Sequence, residues 1–113
     1  MKRRVQSKVT MQKVVPHVTD RYRKLWEIPE THRSVGFIAC DNEDVMWLAL
    51  DDATKKAKIE IVHAETVYGG VDYSWSRYGG EITAVLSGEN VSDVQNGLRY
   101  TKEYIENKAA IYM

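Results

Sequence analysis

A chain of 113 residues with 43% apolar and 28% charged residues has the make-up of one globular domain with enough material for its own core. Sixteen basic residues balance sixteen acidic ones, which excludes a global field that would draw the chain onto nucleic acid or an anionic membrane. The single cysteine, Cys40, excludes an internal disulfide and suits a reducing compartment, and no apolar run approaches the roughly 20 residues of a membrane span.

The basic start Met1-Lys2-Arg3-Arg4 lacks the apolar stretch of a secretory signal, so a cytoplasmic protein is expected. Val5 to Val15 is rich in β-branched residues and stops at Pro16, which predicts a strand. A short helix is expected around Val18 to Trp26, leading to Pro29. From Ser34 to Cys40 both alternating faces are apolar, the pattern of a central strand covered on both sides. Asp41 is the expected cap of a helix over Val45 to Lys58, with Asp44 completing an acidic capping box. Ala49, Ala53 and Ala57 recur every fourth residue, flanked by Met46 and Leu50, and this small-residue stripe predicts close packing on a sheet.

Ile59, Ile61 and Val67 are expected on one face of the next strand, with Val62 and Ala64 on the other. Gly69-Gly70 and Gly79-Gly80 bracket a polar, aromatic loop, after which a strand runs from Glu81 to Ser87. Asn90 should cap a second helix with Val91, Val94, Leu98 and Ile105 as its buried stripe. Gly97 inside it costs roughly 1 kcal/mol against alanine, a cost that close packing would explain. The order strand, helix, strand, strand, helix lacks one strand of a ferredoxin-like α+β unit. Ala109 to Met113 is too short for a full strand, so the missing one is expected at the front of the chain, in a permuted order. Residues 1–33 then form an N-terminal segment supplying that strand and the short helix, and residues 34–113 form the core.

Several segments, taken in order, resemble one known family. They are Ile28-Pro29, His32-Arg33-Ser34-Val35-Gly36, Asp41-Asn42-Glu43-Asp44-Val45, and Asp51-Asp52-Ala53-Thr54-Lys55-Lys56-Ala57-Lys58-Ile59-Glu60-Ile61-Val62. Val67-Tyr68-Gly69-Gly70, Gly80-Glu81-Ile82 and Ile105-Glu106-Asn107-Lys108-Ala109-Ala110 follow them. The set is similar to bacterial microcompartment (BMC) shell proteins, above all to the first half of the tandem ethanolamine-utilisation type. Val91-Ser92-Asp93-Val94 also resembles the propanediol type. The resemblance implies a circularly permuted BMC domain, a structural rather than enzymatic role, and a place in a microcompartment shell in the cytoplasm. It implies partnership with copies of itself and with other shell proteins. Six copies would make a hexagonal tile, or three if this is half of a tandem chain.

The same resemblance implies roles for particular residues. Lys55 matches the lysine that joins tiles at their edges; on the residues alone it is a solvated helix lysine beside Lys56 and Lys58. Tyr68, Gly69, Gly70, Asp72, Tyr73, Ser74, Trp75, Ser76, Arg77, Tyr78, Gly79 and Gly80 match a loop that lines and gates a central pore. Its hydroxyls, indole and guanidinium would replace the hydration of small polar metabolites, while the glycines permit hinge motion. On the residues alone the alternative is an exposed hairpin loop with its aromatics buried against a neighbour. Glu43 and Asp44 match an acidic pair that binds a small cation, although first-turn acids also serve the helix dipole.

His17, His32 and His63 show no metal-ligand spacing, and no glycine motif cradles a phosphate, so no cofactor is expected. An RNA-recognition reading lacks its aromatic strand motif. A ligand-sensing ferredoxin-like regulatory module is the alternative function, and it would form a dimer or tetramer.

Overall fold

Residues 34–40 carry no charge, and the chain is built around the strand they form. The structure, a computed structural model, describes residues 4–67, 81–108 and 110–112. In chain order the elements are β1 (Arg4–Gln6), β2 (Val9–Val15), α1 (Asp20–Leu25), β3 (Ser34–Cys40), α2 (Glu43–Lys56), β4 (Glu60–Val67) and β5 (Glu81–Gly88). They continue as α3 (Val91–Glu103), a π-helical turn at Tyr104–Lys108, and β6 (Ala110–Tyr112). Four strands make an antiparallel sheet in the order β2-β3-β5-β4, and β1 and β6 pair as a separate antiparallel ribbon.

The sheet has two unequal faces. Ile38, Cys40, Ile82, Ala84 and Leu86 point to the face carrying α2 and α3, where they meet Met46, Ala49, Leu50, Ala53, Val94 and Leu98 in the main core. Burying each of the isoleucine, leucine, methionine and valine side chains among them contributes roughly 1.5–3 kcal/mol. The opposite face holds a smaller cluster of Val35, Val85 and Ile28, with Val15, Val18, Trp26, Phe37 and Val62 against it. Both faces of β3 are therefore covered, as its pattern predicts.

The helix approach depends on absent side chains. A Cβ on Gly36 of β3 would lie 2.8 Å from Val94 Cγ1 and 3.0 Å from Leu98 Cδ1, so α3 rests directly on the strand's backbone. Asn90 caps α3 by accepting the Asp93 N–H at 2.9 Å, as expected from sequence.

Four local expectations need correction. The cap of α2 is Asn42, not Asp41: its Oδ1 accepts the Val45 N–H at 3.1 Å, and the helix starts and ends two residues earlier than the pattern suggests. Asp41 instead accepts the Lys8 N–H at 3.1 Å and ties the start of β2 to the end of β3. Ala64 joins Ile61 on the helix face, because a bulge between Ile61 and His63 puts two successive residues outward and resets the alternation. Val5 to Val15 is two strands broken at Ser7 and Lys8. The three residues of β6 pair with β1 rather than with the main sheet, in keeping with a C-terminal stretch too short for a full strand. The front of the chain does supply an edge strand, since β2 lies beside β3.

Candidate functional site

Hydrophobic registry sets the positions of the candidate residues. The pore-loop residues Tyr68 to Gly80 lie outside the described residues. Their attachment does not: β4 ends at Val67, which pairs with Glu81 at the start of β5, so both ends of the 68–80 segment leave from one end of the sheet. Cys40 pairs with Ile82 in the neighbouring register, so β3 delivers the start of α2 to that same end. Glu43 and Asp44 sit in the first turn of α2 at its electropositive terminus. Glu43 is half-buried and Asp44 exposed. The structure thus brings the acidic pair and the flanks of the 68–80 segment to one end of the sheet.

Lys55 lies in the last turn of α2, about 16 Å from Asp44 along the axis at 1.5 Å per residue. Its Nζ is 3.1 Å from Asp51 Oδ2, and both side chains are largely exposed. Lys56 makes the parallel pair with Asp52 at 3.1 Å, with Asp52 the less exposed of the two acids. The lysine candidate and the acidic candidate are therefore separated by the length of the helix.

Cys40 sits at the acidic end and is fully buried, its Sγ–H donating to the Asn42 carbonyl at 3.2 Å. Burial pushes the thiol from its ordinary 9.0 to about 11; the backbone of Asn42 works the other way, and the charges of Asp41 and Glu81 add to the rise. A thiol held protonated in this way is a packing residue rather than a nucleophile.

His32 Nδ1 lies 2.7 Å from the buried Ser87 Oγ, and His63 Nε2 lies 3.6 Å from Glu65 Oε2. Among the described residues no group of three His, Cys, Asp or Glu side chains could hold a metal ion.

One arrangement was not foreseen. On the face opposite α2, Trp26 stacks on Tyr22 at 5.2 Å and on His63 at 6.1 Å, and meets Phe37 edge-on at 5.6 Å. Trp26, Phe37 and His63, with Leu25, Glu65, Thr83 and Val85, line an open groove of about 430 Å³. Trp26, Phe37 and His63 are far apart in sequence and meet only through the strand register, so no local pattern announces the groove.

The profile of the BMC domain matches residues 34–112. The chain is 35% identical over 106 residues to the bacterial microcompartment shell protein EutL of Salmonella typhimurium, covering 94% of this chain and 48% of that protein. It is 33% identical over 95 residues to EutL of Clostridium perfringens, covering 84% of this chain and 44% of that one. The crystal structure of the ethanolamine utilization protein EutL from Leptotrichia buccalis superposes with a TM-score of 0.85 at 34% identity, over 96% of this chain and 50% of that chain. This chain spans about half the length of these relatives.

Proposed function

This chain belongs to the BMC domain family, and from that premise we propose that it is a structural tile of a bacterial microcompartment shell. The observation that carries the reading is the correspondence with EutL shell proteins over nearly the whole chain, in sequence and in fold. Residues 1–33 supply an edge strand and a short helix to a core of residues 34–113, in a circularly permuted order. Copies of the chain assemble in the plane, six to a hexagonal tile, or three where a second such domain is joined to it. The tile takes its place among other shell proteins in the cytoplasm and performs no bond chemistry.

The 68–80 segment lines the tile's centre and gates the passage of small polar metabolites. Two arguments support this: its flanks leave one end of the sheet together, and Lys55 stands at the far end of α2, where an edge contact would be. A long cationic stem at an edge can lie along a flat contact and donate to carbonyls across it. Glu43 and Asp44, beside the segment's flanks, offer carboxylates to a small ammonium ion.

Incorporation tests the tile reading. A tagged chain expressed with other shell proteins should sediment with the assembled shells; a chain left wholly in the supernatant would argue against it. The gating role is tested by replacing Gly79 and Gly80 with alanine. Permeation should change more than folding, and global unfolding would mark those glycines as structural instead.

A further inference from the structure

Asn96 is followed by Gly97, and no other asparagine of the chain precedes a glycine. The pair carries a reaction of its own. The Gly97 amide nitrogen, on losing its proton to water, can attack Asn96 Cγ and close a five-membered succinimide; a carbon–nitrogen bond forms and the side-chain nitrogen leaves as ammonia. Water then reopens the ring. Breaking the bond from Gly97 N to Cγ gives aspartate, and breaking the bond from Gly97 N to the Asn96 main-chain carbon gives isoaspartate. The balance is one water in and one ammonia out, with no oxidant or reductant. Glycine favours the attack because no Cβ shields its nitrogen.

The fold explains both why the pair is there and what restrains it. Packing requires glycine at 97, since a Cβ would fall 2.8 Å from Ile59 Cδ1. Asn96 is exposed to water, and its Oδ1 accepts from Arg99 Nη2 at 3.4 Å. Gly97 is an interior residue of α3, so its N–H is given to the Asp93 carbonyl four residues back. The Gly97 carbonyl accepts the buried Thr101 hydroxyl at 2.7 Å. Ring closure needs Asn96 to leave helical dihedrals and the Gly97 N–H to leave its partner. It therefore needs this turn of α3 to open.

We propose that Asn96–Gly97 is a covalent modification site, closed by the folded α3 and opened by its unfolding, with water as the co-substrate. The two products have different consequences. Aspartate at 96 keeps the backbone and stands three residues from Asp93 on one side and from Arg99 on the other, so repulsion and attraction offset and α3 re-forms. Isoaspartate lengthens the main chain by one methylene, which turns Leu98 and Thr101 out of the register they share with Val94. A chain left unfolded for long enough is thereby marked and kept out of the native core. The inference goes beyond the tile reading and does not depend on it.

Peptide mapping by mass spectrometry tests it, with fragmentation that separates aspartate from isoaspartate. The chain is held at pH 8 in buffer and in urea and sampled over days. In urea, Asn96 should convert several times faster than Asn42, Asn90 or Asn107. In buffer it should convert at least about tenfold more slowly than in urea, the factor set by the opening of an interior helical turn. Ile59→Val removes the Cδ1 methyl that lies over Gly97 and should raise the rate in buffer about 2- to 10-fold, its stability cost appearing as easier opening. Asn96→Gln should abolish the signal in both conditions. Returned to buffer, the aspartate form should regain native circular dichroism and the isoaspartate form should not. Equal rates in buffer and urea would overturn the inference. So would an Asn96 that converts no faster than Asn107 in urea, or an isoaspartate chain that refolds as the aspartate chain does.

Discussion

Gly97 of α3 lies directly over Ile59: a Cβ built there would fall 2.8 Å from Ile59 Cδ1 and 2.9 Å from Cγ2. Ile59 leads into β4, so this contact joins the second helix to the edge of the sheet. Replacing Gly97 by alanine gains about 1 kcal/mol of helix propensity. It also overpacks a core position, at about 1–3 kcal/mol. Because Cγ2 is a branch at Cβ and cannot swing clear as a chain end does, the clash prevails. Gly97→Ala should lower stability by about 1 kcal/mol in urea unfolding. Combined with Ile59→Ala, which opens space, it should cost less than the sum of the two single changes; strict additivity would contradict the close approach.

Glu27 has φ of 51°, the left-handed region that glycine favours. It follows the C-cap Trp26, and the Ile28 N–H returns to the Arg23 carbonyl at 3.0 Å, closing a Schellman turn that seats Ile28 in the second core. Glu27→Gly should raise stability by about 0.5 kcal/mol, the relief of strain being partly offset by a more flexible unfolded chain. Glu27→Ala should give no such gain, because its Cβ keeps the strain. Urea midpoints of the two variants check this.

The Cys40 thiol sets a pH dependence with a definite sign. Below pH 9.0 the thiol is protonated in both the folded and the unfolded chain and its contribution to stability is fully present. Between 9.0 and about 11 the unfolded thiol ionises while the folded one does not, so that contribution is lost as pH rises. Stability should decline across this window more steeply in the wild type than in Cys40→Ala. At pH 8 a thiol reagent should label the native protein far more slowly than the urea-unfolded one. Equal rates would contradict the burial.

Lys55→Ala removes a pair between two largely exposed side chains, so stability should change by less than about 0.5 kcal/mol. Oligomers should persist, while growth of extended sheets in negative-stain images should weaken. Loss of the oligomer itself would move Lys55 from the tile edge to the interior of the assembly.

What could be read from sequence follows the range of each interaction. The strand at Ser34 to Cys40, the Ala49 and Ala53 part of the alanine stripe and the Asn90 cap are set by neighbours within one turn or one strand and stand in the structure, whereas Ala57 falls at the extended C-cap just past α2. The cap at Asn42 lies one residue beyond the expected Asp41 because both residue types are good caps, and Asp41 is engaged by the Lys8 N–H from the break between β1 and β2. The face of Ala64 depends on the bulge against β5, and β6 depends on pairing with the opposite end of the chain. Lys55 and the Glu43–Asp44 pair were visible as residues, but their placement at opposite ends of α2 relative to the sheet required the register. The groove at Trp26 was invisible for the same reason: its walls come from α1 and three strands.

The mass of the particle in solution tests the central claim most directly, measured by light scattering with negative-stain imaging of the same sample. The tile reading predicts six copies in a flat hexagonal particle. A monomer or dimer that never forms sheets, even when mixed with other shell proteins, would contradict it and favour a ligand-sensing module.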